Sequence, residues 1–408
     1  MNTYVFFTNQ YLPKPGATGM CVHQLAKVLV ERGNNVFSIV YDDNSSCSMY
    51  DGVKIIRVKT PFYLKKIENA SKYIKKAQGV LSLLNKLVYL KKYPLRSKTL
   101  VKSYMEYGER IIKKNGSAVI VASYTPLEAV IAGMELKKKY PNRIKYVYYS
   151  TDTLSNEQGN EGILPSIYRE KCGLKWERQL FERCDMIFIM ECHAEYYKKK
   201  FLDYLPKMRV VNFPLFEKKI HVSKINNKRS NVVKFVYVGT LYRKMRNPQY
   251  IINVLSELAE KMDLEAYFLG GGDCDDILKA AEVKTNGRIK YIGIQPHDLA
   301  LKYISSADVL LSIGNSDSFM APSKIYEYMA TGKQIIHIYK FDEDPCIKPL
   351  KKYGNTLIIK EDDSFDLEEI MKFVKENRLL KLSDIEPLFE TSTPEYSVRL
   401  LEELQGEL

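Results

Sequence analysis

The segment Ala321–Gly332, APSKIYEYMATG, sets a serine, a lysine and a glutamate within about one helical turn of one another. Pro322 and Ser323 would end a preceding strand and open a helix, and Gly332 would close it, so a short helix is expected over Ser323–Thr331. The start of such a helix offers unpaired backbone N–H groups and the positive end of the peptide dipoles, which suit a phosphate. Glu327 lies one turn in, on the face of Ser323 and Lys324. A carboxylate there can accept hydrogen bonds from both hydroxyls of a ribose, so the segment has the layout of a nucleoside-diphosphate grip. A solvated Glu327 paired with Lys324 is the plainer alternative. A capping box does not explain the residue, because that motif needs the acid where Tyr326 stands.

Other candidate groups follow apolar runs. Val236–Val238 leads into Gly239 and Thr240, and Arg243, Lys244 and Arg246 then put three cations in four residues. Loops at the carboxyl ends of strands are where α/β sheets bind ligands, so Arg243 and Arg246 are candidates to hold a diphosphate; a solvated basic loop is the alternative. Gly270–Gly272 form a glycine-rich turn after another run. Near the N-terminus, Gly16 and Gly19 give permissive backbone for a tight strand-to-helix loop. They do not complete the GxGxxG of a dinucleotide site. His23, in the next helix, reads as structural. Asp152 ends the strand within Tyr148–Thr153 and is a candidate to orient an acceptor.

The elements that must position these groups alternate. Apolar runs at Tyr4–Thr8, Val36–Tyr41, Val53–Val58, Ala118–Ala122, Lys145–Tyr149 and Met186–Met190 make one series of strands. A second series runs through Val233–Val238, Glu265–Leu269, Lys290–Gly293, Val309–Ile313, Gln334–Ile338 and Asn355–Ile359. Helical stretches such as Met20–Arg32, Asn247–Lys261 and Asp298–Ser306 separate them. The pattern predicts an α/β fold of two doubly wound, Rossmann-like domains with parallel sheets. Residues 1–212 form the first and 213–389 the second, with the acidic tail of about 390–408 expected to pack back on the first. Ser223–Asn231 reads as the loop before the second domain.

Composition narrows the class. The chain of 408 residues is 45% hydrophobic and 27% charged, ordinary for a globular protein of two domains. It lacks an apolar run long enough to cross a membrane, and its N-terminus reads as a first strand rather than a signal peptide. Cys21, Cys47, Cys172, Cys184, Cys192, Cys274 and Cys346 are scattered without metal-ligand spacing, which fits reduced thiols in the cytoplasm. Residues 1–115 hold 20 Lys/Arg and 7 Asp/Glu, an excess equal to the whole chain's net +13. Within Leu64–Lys98, ten cations face one acid, Glu68, among many leucines, valines and tyrosines. This suggests an amphipathic surface against anionic lipid, with a solvated insertion as the alternative. The chain has no recognisable nucleic-acid-binding motif, so no nucleic-acid partner is expected.

The stretch PSKIYEYMATGKQII resembles the nucleotide-binding segment of GT-B glycosyltransferases of the large family 4 class. That family carries a Glu-x7-Glu motif whose second Glu binds the ribose, and Glu327 matches it. Phe319 stands where the first Glu would be, which touches the sugar-side chemistry. The resemblance implies a domain pair facing a cleft and a retaining, metal-independent transfer of a sugar from a nucleotide-sugar, UDP-linked by preference, to an acceptor hydroxyl. The acceptor would be a lipid-linked or cell-surface polysaccharide precursor, at the inner face of the membrane. It assigns Arg246, and Arg243 in place of an arginine where Thr240 stands, to the diphosphate; Gly239 and Gly271 to the nucleotide's surroundings; and the stretch around Ile294 to the base. Pro322, Ser323 and Lys324 complete the donor contacts, and Gly16 and Gly19 the sugar-phosphate side. No cofactor beyond the donor substrate and no metal are expected. A nucleotide-sugar epimerase, or a nucleotide-sugar-binding protein with a decayed site, are the other readings.

Overall fold

The computed structural model describes residues 1–408 except 10, 13–15, 43–46, 60, 65–71, 157–163, 215–231, 317–321 and 362–363. Phe319, Ala321, the Ser223–Asn231 loop and part of the basic stretch therefore lie outside the described residues. The chain divides into two compact units, Met1–Pro214 with Thr393–Leu408, and Leu215–Ser392.

The first unit runs β1 (Thr3–Thr8), α1 (Ala17–Glu31), β2 (Asn35–Asp42), β3 (Cys47–Tyr50), β4 (Val53–Lys59), α2 (Lys72–Val88) and α3 (Lys98–Asn115). It continues through β5 (Ala118–Tyr124), α4 (Leu127–Lys139), β6 (Ile144–Ser150), α5 (Ser166–Arg183), β7 (Met186–Ile189), α6 (Ala194–Lys200) and β8 (Met208–Val210). Among the described residues the strands form one sheet in the order β3-β4-β2-β1-β5-β6-β7-β8. Its pairs are parallel except β3 with β4, an antiparallel edge hairpin that the apolar pattern did not reveal. Buried side chains cover both faces of the central strands, as a parallel sheet between helices requires: all of β1 and all of β5 are buried. Phe7, Ile120, Tyr146, Leu180 and Phe181 lie in its core.

The second unit runs β9 (Val233–Val238), α7 (Gln249–Lys261), β10 (Leu264–Leu269), α8 (Asp275–Lys284), β11 (Ile289–Gly293), α9 (His297–Ser306) and β12 (Val309–Ile313). Then follow α10 (Lys324–Met329), β13 (Gln334–Tyr339), α11 (Ile347–Tyr353), β14 (Thr356–Lys360), α12 (Leu367–Glu376) and α13 (Leu382–Ile385). The sheet order is β11-β10-β9-β12-β13-β14, and every pair is parallel. The order reverses beside β9, so the loops after β9 and β12 diverge at a topological switch point, where doubly wound sheets bind ligands.

The last helix, α14 (Pro394–Gln405), belongs to the first unit. Thr393 caps it by accepting a hydrogen bond from Tyr396 N, with Pro394 in the first turn. Arg32, just after α1, pairs with Glu402, and Lys145 Nζ lies 2.8 Å from Glu407 Oε2. The acid-rich tail thus offsets cations of the unit that holds the chain's charge excess.

Candidate functional site

In the second unit the glycines after β9 and β10 bring two loops together. Gly239 N donates to Leu269 O at 2.9 Å, and Leu241 N to Gly271 O at 2.9 Å. Gly270 and Gly272 have φ of 146° and 135°, and a Cβ on either would stand 1.9 and 1.7 Å from the carbonyl oxygens of Gly239 and Leu241. Only glycine allows this backbone contact. Gly271 in turn packs on Ile294, whose side chain is 81% exposed just beyond β11. Gly239, Gly271 and Ile294 therefore share the carboxyl ends of three adjacent strands.

Arg246 and Arg243 part ways. The Arg246 guanidinium donates to Asn315 Oδ1 at 2.6 and 3.2 Å and to Thr240 O at 3.1 Å. It lies beside Gly239: a Cβ there would be 3.6 Å from Arg246 Nη1. Arg243 instead forms an ion pair with Asp276, and its backbone N–H donates to Asp273 Oδ1 at 2.8 Å. The Asp276 carboxylate raises the pKa of Arg243, and Arg243 holds that of Asp276 down. Asp273 and Asp275 make an Asp-x-Asp spacing at the start of α8. The fold uses them separately, Asp273 on Arg243 and Asp275 as acceptor from Tyr291 Oη at 2.7 Å.

The helix of the opening segment is shorter than expected. α10 covers Lys324–Met329, and Thr331 and Gly332 turn off it through hydrogen bonds to Tyr328 O and Met329 O. Ser323 precedes its first residue with no side-chain cap bond, and Pro322 stands just before it. Glu327 is buried, and its Oε2 lies 2.6 Å from Lys324 Nζ. His297, at the start of α9, is held below its usual pKa by burial, with Glu327 pulling the other way and Lys324 reinforcing the drop. Tyr328 ties α10 to the sheet: Val238 N donates to its Oη at 2.8 Å. Ser316 N donates to Met245 O at 2.8 Å, so the β12 loop also meets the Arg246 loop.

The carboxyl ends of the first unit's sheet gather a second set. Gly16 precedes α1 with an ordinary φ of −81°, and Gly19 lies inside the helix; neither adopts the left-handed backbone that their permissiveness suggested. Thr18 Oγ1 lies 3.5 Å from Thr151 Oγ1, next to Asp152, and Asn9 Nδ2 donates to Thr125 Oγ1 at 3.3 Å. Asp152 is half-buried, and its carbonyl accepts from Ser150 Oγ at 2.9 Å. His23 has both nitrogens engaged, Nδ1 with Tyr11 Oη at 3.0 Å and Nε2 with Asp51 Oδ2 at 3.1 Å, a structural arrangement.

Leu154 and Ser155, just after Asp152, are held by a carboxylate that sequence reasoning missed. Glu177 of α5 is fully buried; it accepts from Leu154 N and Tyr197 Oη, each at 3.0 Å, and from Ser155 Oγ. Burial pushes its pKa up to about 7 against those hydrogen bonds. Nothing local in the sequence marks Glu177, because its partners lie 20 or more positions away.

The α2 region is inverted. Among the described residues its half-buried positions, Gln78, Ser82 and Asn85, are polar and fall on one helical face, and Gln78 and Asn85 donate to the carbonyls of Phe62 and Arg96 at 2.8 Å. Its apolar residues face out: Tyr73 is 86%, Leu87 61% and Val88 77% exposed. Lys76, Lys86, Lys91 and Lys92 are exposed on and just after the same helix. Among the described residues no helix is long and apolar enough to cross a membrane.

Residues 233–363, which span every strand of the second unit's sheet, match the family described as Glycosyl transferases group 1. Both units match solved structures. A glycosyltransferase from Rickettsia africae ESF-5 superposes with a TM-score of 0.60 over 100% of this chain and 99% of its own, at 11% identity. WaaG, a glycosyltransferase involved in lipopolysaccharide biosynthesis, gives 0.55 over 97% and 99%, at 14% identity. An S. aureus TarM mutant in complex with Fondaparinux, alpha-GlcNAc-glycerol and UDP gives 0.53 over 100% and 99%, at 10% identity. At these identities the likeness carries the fold: two parallel-sheet α/β domains of the GT-B glycosyltransferase type. No curated protein matches the chain in sequence.

Proposed function

We propose that the chain is a retaining, metal-independent glycosyltransferase that moves a sugar from a nucleotide-sugar, UDP-linked by preference, to a hydroxyl of a lipid-linked or cell-surface glycan precursor. One observation carries the reading: a buried Glu327, beside Lys324 on a helix tied by Tyr328 to the end of β9, within a segment that matches the Glycosyl transferases group 1 family. In this reading Glu327 accepts the ribose hydroxyls. Gly239, the Gly270–Gly272 turn and the Gly293–Ile294 backbone frame the diphosphate and base, and Pro322, Ser323 and Lys324 meet the phosphates.

The chemistry follows from charge. The bond from the anomeric carbon to the diphosphate oxygen breaks with its electron pair on oxygen, and the acceptor oxygen forms the new bond and gives up its proton. The leaving diphosphate gains negative charge. Arg246, pre-oriented by Asn315 and Thr240, is the cation set to stabilise it. Arg243 contributes once a phosphate displaces Asp276 from its head group. Asp152 orients the acceptor or takes its proton, with Gly16 at the end of the neighbouring loop and Gly19 in the first turn of α1. Retention of configuration rests on the resemblance of the opening segment alone.

The outward apolar face of α2 and its lysines support peripheral attachment to the anionic cytoplasmic face of a membrane, where a lipid-linked acceptor would be found. A thermal-shift screen of nucleotide-sugars, followed by a coupled assay for nucleoside diphosphate released with lipid-linked acceptors, tests the proposal. Stabilisation by one UDP-sugar together with acceptor-dependent release supports it. An epimerised sugar nucleotide, or binding without turnover on any acceptor, would overturn the transferase reading.

A further inference from the structure

His337, Asp344 and Cys346 reach one buried point from three elements. His337 is on β13, Asp344 is in the loop after it, and Cys346 is the residue before α11. All three are buried, and their donor atoms lie within 4.8 Å of one another. His337 Nε2 and Asp344 Oδ2 are fully enclosed without a hydrogen-bond partner. Polar atoms that are buried and unpaired are costly, and each calls for a partner. His337 Nε2 is 3.5 Å from Asp344 Oδ1, an ion-pair distance without hydrogen-bond geometry. That is close to the roughly 3.4 Å edge expected between a nitrogen and an oxygen ligand on one tetrahedral zinc, given bonds of about 2.0–2.1 Å.

The surroundings are arranged as a ligand shell would be. Ser312 Oγ, on the neighbouring strand β12, lies 3.0 Å from His337 Nδ1, which fixes the ring so that Nε2 points to the cluster. Cys346 N donates to Asp344 Oδ1 at 2.7 Å and holds the carboxylate in place. Gly314 makes room: a Cβ there would stand 1.9 Å from Asp344 Oδ2.

We infer that His337, Asp344 and Cys346 form a structural site for a divalent, thiolate-accepting cation, with zinc the best match. One imidazole, one carboxylate and one thiolate are a zinc donor set. Binding deprotonates the Cys346 thiol, the proton leaving to solvent, and draws the three donors to about 3.4–3.6 Å of one another. Three protein donors leave the fourth tetrahedral position to a single water; because all three donors are buried, that position faces the protein interior rather than a substrate, and the ion's work is to pin the loop before α11 against Gly314. Asn315, the next residue, holds Arg246. The sequence spacing concealed the site because the donors converge from a strand, a loop and a helix cap.

The test uses the full chain, expressed with zinc in the medium, dialysed and assayed for metal, and separately unfolded and refolded with cobalt(II). The inference predicts about one zinc per chain. It also predicts a thiolate-to-cobalt charge-transfer band that Cys346→Ser abolishes, and metal content at least about tenfold lower in His337→Gln. Asp344→Asn gives a conservative third variant should either of these fail to fold, as judged by circular dichroism. Folded wild-type protein that carries less than about a tenth of an equivalent and shows no cobalt band would overturn it, leaving a buried His–Asp pair. A band that survives Cys346→Ser would overturn it as well, by placing the metal on another cysteine.

Discussion

The hydroxyl of Tyr328 accepts a hydrogen bond of 2.8 Å from the backbone N–H of Val238, so the helix that carries Glu327 is fastened to the last residue of β9. The next residue is Gly239, and Arg246 lies against it. Tyr328 is buried, and burial pushes its pKa far above the ordinary tyrosine range, so the hydroxyl stays neutral. Tyr328→Phe leaves the Val238 N–H without that partner. A loss of about 1–3 kcal/mol is expected in urea unfolding, with weaker nucleotide binding in the folded variant; an unchanged midpoint would show that the bond does not fasten the helix.

Arg246→Ala should lower turnover about 10²–10³-fold, the size seen when one preorganised donor to a developing charge is lost. Asn315→Ala should reproduce part of this by loosening Arg246, whereas Arg243→Ala should act more weakly because its head group is engaged by Asp276. Steady-state kinetics on the three variants separates the roles. Equal losses at Arg243 and Arg246 would contradict them.

Glu177 predicts a pH dependence. Its carboxyl titrates near 7 in the folded chain against an ordinary 4.5, so between these values the folded state holds a proton that the unfolded state has released. Stability therefore falls as pH rises through that window, by on the order of 3 kcal/mol from this group. Urea midpoints from pH 4.5 to 7 should decline more steeply in the wild type than in Glu177→Gln. Parallel profiles would remove Glu177 as the source. The same variant should shift the loop at Leu154 and Ser155 and raise KM for the acceptor more than for the donor.

The strands were legible because buried parallel strands write continuous apolar runs, as in Tyr4–Thr8 and Val309–Ile313. The edge strand Cys47–Tyr50 was not, since it is only four residues long and is broken by Ser48. The nucleotide-like segment showed itself because Ser323, Lys324 and Glu327 share one turn of helix. Asn315 on Arg246, 69 positions apart, and Glu177 on Leu154 did not, because pairings made by tertiary packing leave no local spacing. The basic stretch announced its charge, but not that α2 turns its polar face inward.

Leu84→Glu with Leu87→Glu places acids on the exposed face of α2, where Leu84 and Leu87 are 52% and 61% exposed. Co-sedimentation with phosphatidylglycerol vesicles should drop at least about tenfold, while the melting temperature stays within a few degrees of wild type. Binding should also weaken with salt, since each nearby lysine contributes about 1 kcal/mol at an anionic surface. Equal binding to neutral and anionic vesicles would refute the basic contribution.

The central claim is that Glu327 grips the nucleotide half of the donor. Isothermal titration of UDP, or of the UDP-sugar that stabilises the protein most, into wild type and Glu327→Ala tests it most directly. A loss of more than about tenfold in affinity, or about 1.4 kcal/mol, is predicted, with the folded state intact by circular dichroism. An unchanged affinity would remove Glu327 from the site and, with it, the account of the segment from Ala321 to Gly332.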